Sequence, residues 1–425
     1  MKAINLFFLL LFFAFGISGQ KKSVTFYDDV FPVIQKHCTN CHYVGGPAPF
    51  SLLTYNDIHK RSKFIAYVTG IKYMPPWKAD AEFRHFRNEN LLTQPEIDII
   101  QKWATGKMKS GKKPVLRPIK KSKAESDKTI VNATMKQVYQ IPSDNQDDFR
   151  FFHIPLALTR DQYITGIEFR PGNKKRVHHS RIMLDTTKQI AGINGLSEKD
   201  PSIYTYQTKP LADEFLYGWV PGNFTFRFPV GFGKKIYRNS DIILNMHYSP
   251  SVLKGVDQSQ VRLYLDEAEN ILREVKTLIL RETDISNQPF FIPAGNKPVF
   301  YMSSGVIQKD MSLLTIQPHA HLLGKSFRAF AITGDGDMIP LIKIDKWDFN
   351  WQTTYEFEKM IHIPAGAVII MEGQYDNTVD NPVNPNFPPM DTGYGWRTVD
   401  EMMNLIFYYS DYMEGDETLH LQYRD

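Results

Sequence analysis

The sequence predicts a multidomain chain: a small all-α domain followed by two all-β antiparallel domains of the sandwich or jelly-roll kind. Three observations point there. The first hundred residues carry apolar positions at helical spacing, bounded by caps. A Lys-rich stretch at 107–128, with two Pro and little to bury, then interrupts anything that could form a core. Beyond Thr129, short alternating runs follow one another with turn residues between them, and roughly 300 residues remain, enough for two domains.

The N-terminus reads MKAINLFFLLLFFAFGISG: one Lys, an apolar run from Leu6 to Phe15, then small residues. This is the pattern of a signal peptide over 1–19. The run is too short for a confident bilayer span, so no membrane span is expected and the chain is expected to be secreted or periplasmic. A pair of free thiols would tend to oxidise in such surroundings.

That matters because the chain has two cysteines, both in KHCTNCHYVGG (36–46), with His42 directly after Cys41. A thioredoxin-like site needs a strand leading into it, whereas Val30, Ile34 and Cys38 recur at helical spacing, with Thr25 and Asp28 as a capping box. A zinc site needs a second ligand pair nearby, and none has that spacing. The reading left is covalent haem attachment, with thioethers from Cys38 and Cys41 and His42 on the iron; a plain disulfide is the bland alternative. Met74 in KYMPPW, held in an extended loop by Pro75 and Pro76, is the candidate sixth ligand; ordinary packing beside Trp77 is the competing reading. His59 and His85 stand in reserve. LLTQPEIDIIQKWATG supplies a closing helix, capped by Thr93 and Glu96, with Ile97, Ile100, Trp103 and Ala104 on one face and Gly106 at its end. The stretch 24–108 resembles a small single-haem cytochrome c domain, placed at 20–106.

The 107–128 segment reads as a solvated tether. A polyanion-binding tail is disfavoured because the whole chain carries a net charge of only +4, and no nucleic-acid partner is expected. In QYITGIEFRPG, Tyr163, Thr165, Ile167 and Phe169 alternate with more polar neighbours before a Pro-Gly turn; SDIILNMHYSP and NLIFYYSDY read alike. The two β-domains are placed at 129–270 and 271–425.

The histidines are unevenly used. His178 and His179 are adjacent in RVHHSRIM, His247 ends a strand in NMHYSP, and His319 and His321 alternate in QPHAHLLGK. Alternate strand residues share a face, so His319 and His321 can grip one ion, whereas neighbours such as His178 and His179 need a bulge or strand end to do so. The isolated His153, His362 and His420 read as packing or surface. The whole order, ending in VDEMMNLIFYY, resembles the copper type II, ascorbate-dependent monooxygenases, the family of the peptidylglycine alpha-hydroxylating and dopamine beta monooxygenases. The resemblance covers most of 129–425. It implies two successive antiparallel jelly rolls, with one copper held by His178, His179 and His247. The second copper, the oxygen site, would be held by His319, His321 and Met402, the two sites facing across a solvent gap. A soft thioether favours Cu(I), which agrees with that mapping. Met403 competes with Met402, and only the resemblance chooses between them. Two departures stand out: no cysteines remain for disulfides in the β-domains, and the positions that clamp a substrate carboxylate in the peptidylglycine enzymes are Gln317 and Ile406 here.

The expected function is thus a secreted copper monooxygenase with two copper ions and one covalent haem c. It would hydroxylate a C–H bond of a small molecule with O2, its electrons passing from an ascorbate-like reductant or redox protein through the haem. A non-hydroxylating electron-transfer or copper-binding protein would keep the same ligands, and a β-sandwich adhesin with scattered His is the blandest option.

Overall fold

The computed structural model describes residues 23–113, 129–207, 213–223 and 225–424. The expected signal peptide, and 114–128 of the expected tether, lie outside the described residues. A π turn (Phe26–Val30) runs into α1 (Phe31–His37), followed by α2 (Tyr55–His59), α3 (Ser62–Gly70) and α4 (Gln94–Thr105). The capping box of α4 forms between Thr93 and Glu96, and Ile97, Ile100, Trp103 and Ala104 are buried on one face. At the first turn, Thr25 donates its hydroxyl to Asp28 (2.9 Å), but its backbone N–H goes to Asp29 (2.7 Å). The hydrogen bonds of a π turn span one residue more than those of an α-helix, which moves the acceptor one place along. Phe26, Ile34, Ile58, Ile100 and Trp103 form the core of this unit. Its helices are short, and a cytochrome c fold is not evident from them alone.

Residues 108–110, expected to begin a solvated tether, close the helical unit instead. Phe26 and Tyr27 donate backbone N–H groups to Lys109 (2.9 Å) and Ser110 (3.0 Å). The Trp103 indole also donates to Lys109 O (3.1 Å).

The first β-domain contains β1 (Thr129–Thr134), β2 (Tyr139–Ile141), β3 (Asp148–Pro155), β4 (Gln162–Arg170) and β5 (Val177–Asp185). After a short α5 (Ile203–Gln207) come β6 (Asp213–Trp219), β7 (Phe226–Arg227), β8 (Phe232–Ile236), β9 (Asp241–Tyr248), β10 (Gly255–Asp257) and β11 (Gln260–Asp266). The second comprises β12 (Arg273–Leu280), β13 (Phe291–Ile292), β14 (Val299–Val306), β15 (Met311–Ala320) and β16 (Gly324–Ile332). It continues with β17 (Met338–Ile344), β18 (Tyr355–Ile363), β19 (Val368–Tyr375), β20 (Thr392–Gly393) and β21 (Met403–Asp411).

One four-stranded sheet per domain, β3-β9-β5-β6 and β14-β19-β16-β17, lies off a longer sheet that the two domains share. That shared sheet runs β1-β11-β4-β8-β12-β21-β15-β18. The crossing point is β12, parallel to β8 at Arg273–Phe232 and antiparallel to β21 at Leu278–Phe407. The expected boundary at 270/271 is therefore a backbone-bonded seam, since β8 and β21 both take hydrogen bonds from one strand.

The helical unit is docked on the second β-domain rather than held by a tether alone. Ala79 and Phe86 enter that domain's core, with Trp77 packed against it. Arg87 N–H donates to Glu356 O (2.7 Å), and Asn88 exchanges side-chain bonds with Thr354 O (2.8 Å) and Glu356 N–H (3.0 Å). Residues 421–424 clasp the assembly. Val230 N–H donates to Gln422 O (2.7 Å), the Arg87 guanidinium lies 3.7 Å from the Tyr423 ring centroid, and Arg424 reaches Asp266 (3.4 Å).

Candidate metal centres

The His178, His179 and His247 set forms where β5 pairs with β9. A bulge between Val177 and His179 breaks the alternation, so His178 is no longer forced to the opposite face. Ligand nitrogens from all three residues come within 4.8 Å of one another. His247 gives Nε2 to Asp147 (2.6 Å) and turns Nδ1 toward His179 Nδ1 (3.3 Å), the outer-carboxylate arrangement that orients a metal-binding imidazole. Phe149 stacks on His247, with centroids 4.1 Å apart. Burial, then the neighbouring His247, pushes His178 down to about 4; the same causes put His179 well below the usual histidine range. Both stay neutral, as ligation requires. His178 Nδ1 is buried with no hydrogen-bond partner among the described residues, so the donor set fits a metal ion.

His319 and His321 stand at the end of β15, ring centroids 5.3 Å apart. Each spends Nδ1 on the protein, His319 on Gln352 Oε1 (2.5 Å) and His321 on Asp400 O (3.0 Å), leaving Nε2 of both for a ligand. Burial first, with the Arg181 charge adding, holds His319 well below its usual range and His321 at about 4. Ala320 pairs with Met403 across the β15–β21 ladder, which sets Met402 opposite His321. Glu401 ties the corner together: one oxygen accepts the His321 and Met402 (2.8 Å) N–H groups, the other Leu323 N–H (2.9 Å). Met402 lines the same cavity as the two imidazoles, whereas Met403 is wholly buried in the second domain's core. Two imidazoles with one thioether suit a copper ion that cycles through Cu(I).

The resemblance implied two sites across a solvent gap. Here His179, His319, His321 and Met402 line one cavity of about 750 Å³, its open mouth included. Phe349 touches both walls, 5.2 Å from the His179 ring and 5.9 Å from the His321 ring. The shared sheet draws the domains together, and the Tyr408 hydroxyl donates across the seam to Leu216 O.

At the third candidate site, Cys38 caps α1, and His42 N–H donates to Cys38 O (3.0 Å). Both thiols are free, and burial raises them to about 12 and about 11, so neither is a thiolate nucleophile. His42 donates Nδ1–H to Phe50 O (2.9 Å), which leaves Nε2 free to hold a metal. The donor set fits covalent haem. Cys41 Sγ lies 3.6 Å from Pro221 O, and a Cβ on Gly222 would stand 2.5 Å from that sulfur. Met74 is half-buried in the turn after α3; His59 packs on Tyr55 (5.2 Å), and His85 is exposed beside Glu89 (3.1 Å). His153 and His362 pair with Asp241 (2.7 Å) and Asp310 (2.8 Å), and His420 is exposed. The sequence reading missed Asp147, Gln352, Phe349 and Glu401, since a partner supplied from a distant loop leaves no local signal. Arg181, two residues after His179, was within reach of the alternation rule.

Comparison with known proteins gives the same direction. Residues 291–422 match the family model described as copper type II ascorbate-dependent monooxygenase, C-terminal domain. Human DBH-like monooxygenase protein 2, itself named by likeness, is 24% identical over 302 residues, covering 66% of this chain and 57% of that protein. The chain thus spans little more than half of that relative's length. Among solved structures, the major capsid protein P2 of bacteriophage PM2 aligns at 8% identity, covering 68% of this chain and all of that one, with a TM-score of 0.25. Allantoicase aligns at 11% identity over 57% of this chain and 81% of that one, with a TM-score of 0.17. Neither likeness bears on function. The family model thus recognises the second β-domain, and the likeness to the human protein extends over 302 residues.

Proposed function

We propose that the protein is a copper-dependent monooxygenase, exported from the cytoplasm, that hydroxylates a C–H bond of a small organic molecule. The observation that carries this reading is that His179, from a cluster of three imidazoles, lines the same cavity as His319, His321 and Met402. His178, His179 and His247 would hold one copper, and His319, His321 and Met402 the other. Copper supplies the one-electron steps that dioxygen chemistry needs; the balance is substrate C–H, O2, two electrons and two protons to C–OH and water. Glu401 fixes the strand ends that carry His321 and Met402. Gln352 and Asp400 hold the imidazole tautomers that leave Nε2 free. Phe349 packs against the His179 and His321 rings from between the two walls.

Cys38, Cys41 and His42 would hold a covalent haem c, with Met74 as sixth ligand, and the haem would bring in the two electrons. Support comes from the two uncommitted thiols, the His42 orientation and the docking of Cys41 against the first β-domain. The external donor would be an ascorbate-like reductant or a redox protein. Expression with c-type maturation should give a haem stain that survives denaturing electrophoresis, and metal analysis should find two copper per chain. Mass spectrometry of the exported chain should find residues 1–19 removed. The decisive assay is 18O2 consumption with untargeted product profiling. A copper-loaded, reduced protein that leaves no 18O in any product would sink the hydroxylase in favour of a copper-binding electron carrier.

A further inference from the structure

The loop that delivers Met402 is braced within itself. Residues 393–402 form a closed turn, in which Gly395 N–H donates to Glu401 O (3.2 Å) and Glu401 N–H to Gly393 O (2.9 Å). Across its middle the Arg397 guanidinium donates to both Asp400 carboxylate oxygens (2.6 and 2.9 Å). A Cβ on Gly395 would overlap that carboxylate, so the turn has no room to collapse or slide. A displacement of one limb is therefore passed to the other.

The tip of this turn rests on the first β-domain. Trp396 packs on Phe151 with ring centroids 5.8 Å apart, and the Arg397 guanidinium lies 5.0 Å from the Tyr204 ring centroid. Beside them Glu198, only 5% exposed, accepts the Thr398 hydroxyl (2.8 Å) on one oxygen and the Thr398 N–H (3.0 Å) on the other. No lysine, arginine or histidine stands within ion-pair distance of Glu198 among the described residues, so the donors that offset its desolvation both come from the second domain. The Glu198 backbone is itself fixed. Its N–H donates to Phe149 O (3.1 Å), Gly195 N–H donates to Phe151 O (2.7 Å), and Leu196 O accepts the Phe151 N–H (3.0 Å). Two residues beyond Thr398, Asp400 O holds the His321 ring through Nδ1 (3.0 Å), and Glu401 and Met402 follow directly.

We propose that Glu198 is a positioning residue for the second metal site: from the first β-domain it fixes Thr398, and through the braced turn it sets where Asp400 holds the His321 ring and where the Met402 thioether stands. The proposal rests on the reading of His319, His321 and Met402 as copper ligands. Its consequence is that the thioether is placed by both domains together, although all three ligands belong to one of them.

The test reads the Met402 side chain rather than turnover. In the metal-free full chain labelled with 13C-methyl methionine, the Met402 resonance is identified by its loss in Met402→Leu. Glu198→Ala should move that resonance toward the position of an exposed, freely rotating methionine and leave the Met403 resonance in place. Thr398→Val, near-isosteric and available should Glu198→Ala not fold, should move it the same way, whereas Thr398→Ser, which keeps both donors, should not. In the copper-loaded chain Glu198→Ala and Thr398→Val should lower Cu(I) affinity at the sulfur-containing site by about tenfold, the order of one lost hydrogen bond to a buried charge. The copper–sulfur signal in X-ray absorption should weaken with it, and the three-imidazole site should keep its affinity. A Met402 resonance unmoved in both variants, or equal loss of Cu(I) from both sites, would overturn the proposal. A wild-type chain without a copper–sulfur signal, whose Met402 resonance still follows Glu198, would fail the copper reading and leave the positioning role standing. A copper–sulfur signal indifferent to both variants would do the reverse.

Discussion

Replacing Phe86 by Ala should release the helical unit from the β-domains while leaving both β-domains folded. Phe86 is 2% exposed in the second domain's core, stacked on Phe357 with centroids 5.6 Å apart and 5.2 Å from Tyr355. Truncating a buried phenylalanine costs about 3–5 kcal/mol. The ion pairs beside it are partly exposed: the Arg87 and Glu356 side chains are 38% and 12% accessible, those of Lys343 and Asp80 34% and 25%. Exposed pairs are worth about 0–1 kcal/mol each, so the apolar plug outweighs them. A loss of about 3 kcal/mol shifts the docked-to-free ratio by roughly a hundredfold. Hydrogen exchange of 77–90 should accelerate accordingly, and small-angle scattering should show a longer particle, with the urea midpoint of the β-domains little changed. Arg87→Ala should do much less. If Arg87→Ala, or 1 M salt, frees the unit as effectively as Phe86→Ala, the docking energy lies in charge and the reasoning fails.

The two neighbouring methionines should separate cleanly. Met402→Ala should delete the copper–sulfur signal in X-ray absorption, whereas Met403→Ala should keep it and lose about 2–5 kcal/mol of stability as a core truncation; the opposite pattern would exchange their roles. Gly218→Ala, ordinarily harmless in a strand, should cost about 1–3 kcal/mol, because the new methyl meets the Gln317 amide at 2.4 Å and that amide is held by Thr354; an unchanged or higher melting temperature would show that Gln317 swings away. Metal-free protein should lose stability as pH falls from 6.5 toward 4.5. Four imidazoles (His178, His179, His319, His321) have folded pKa values below the unfolded one, so the unfolded chain takes up protons first and their contribution is lost on acidification. Glu282 and Glu401, raised to about 7 and about 8 by burial, act oppositely: their contribution is lost as pH rises. The net of two protons gives a slope of about 3 kcal/mol per pH unit, so a urea midpoint no lower at pH 5 than at pH 7 would contradict the electrostatics.

What is legible in the sequence divides by the range of the interaction. The α4 cap is written in Thr93 and Glu96, and the common face of His319 and His321 in their spacing, because both are settled within four residues. His178 joining His179 depends on a bulge, which residue identity does not announce. The docking of 77–88 is harder still: EFRHFRN reads as a polar loop, and Phe86 becomes core only because Tyr355 and Phe357 wait 270 residues away. The choice of Met402 over Met403 is similar. Its geometric reason is the β15–β21 register, which no local pattern contains.

The clasp made by residues 421–424 sets an order of events during synthesis. These residues follow, in chain order, every element they hold: Pro229 and Val230 in the first β-domain, Arg87 in the helical unit. They are made after all of these, so the helical unit is complete long before its seat is. Until that seat forms, the Pro221–Gly222 backbone cannot cover the Cys41 sulfur; in the finished fold the sulfur lies against it. In the closed fold, any group added to that sulfur on this side would have to displace the Pro221–Gly222 backbone.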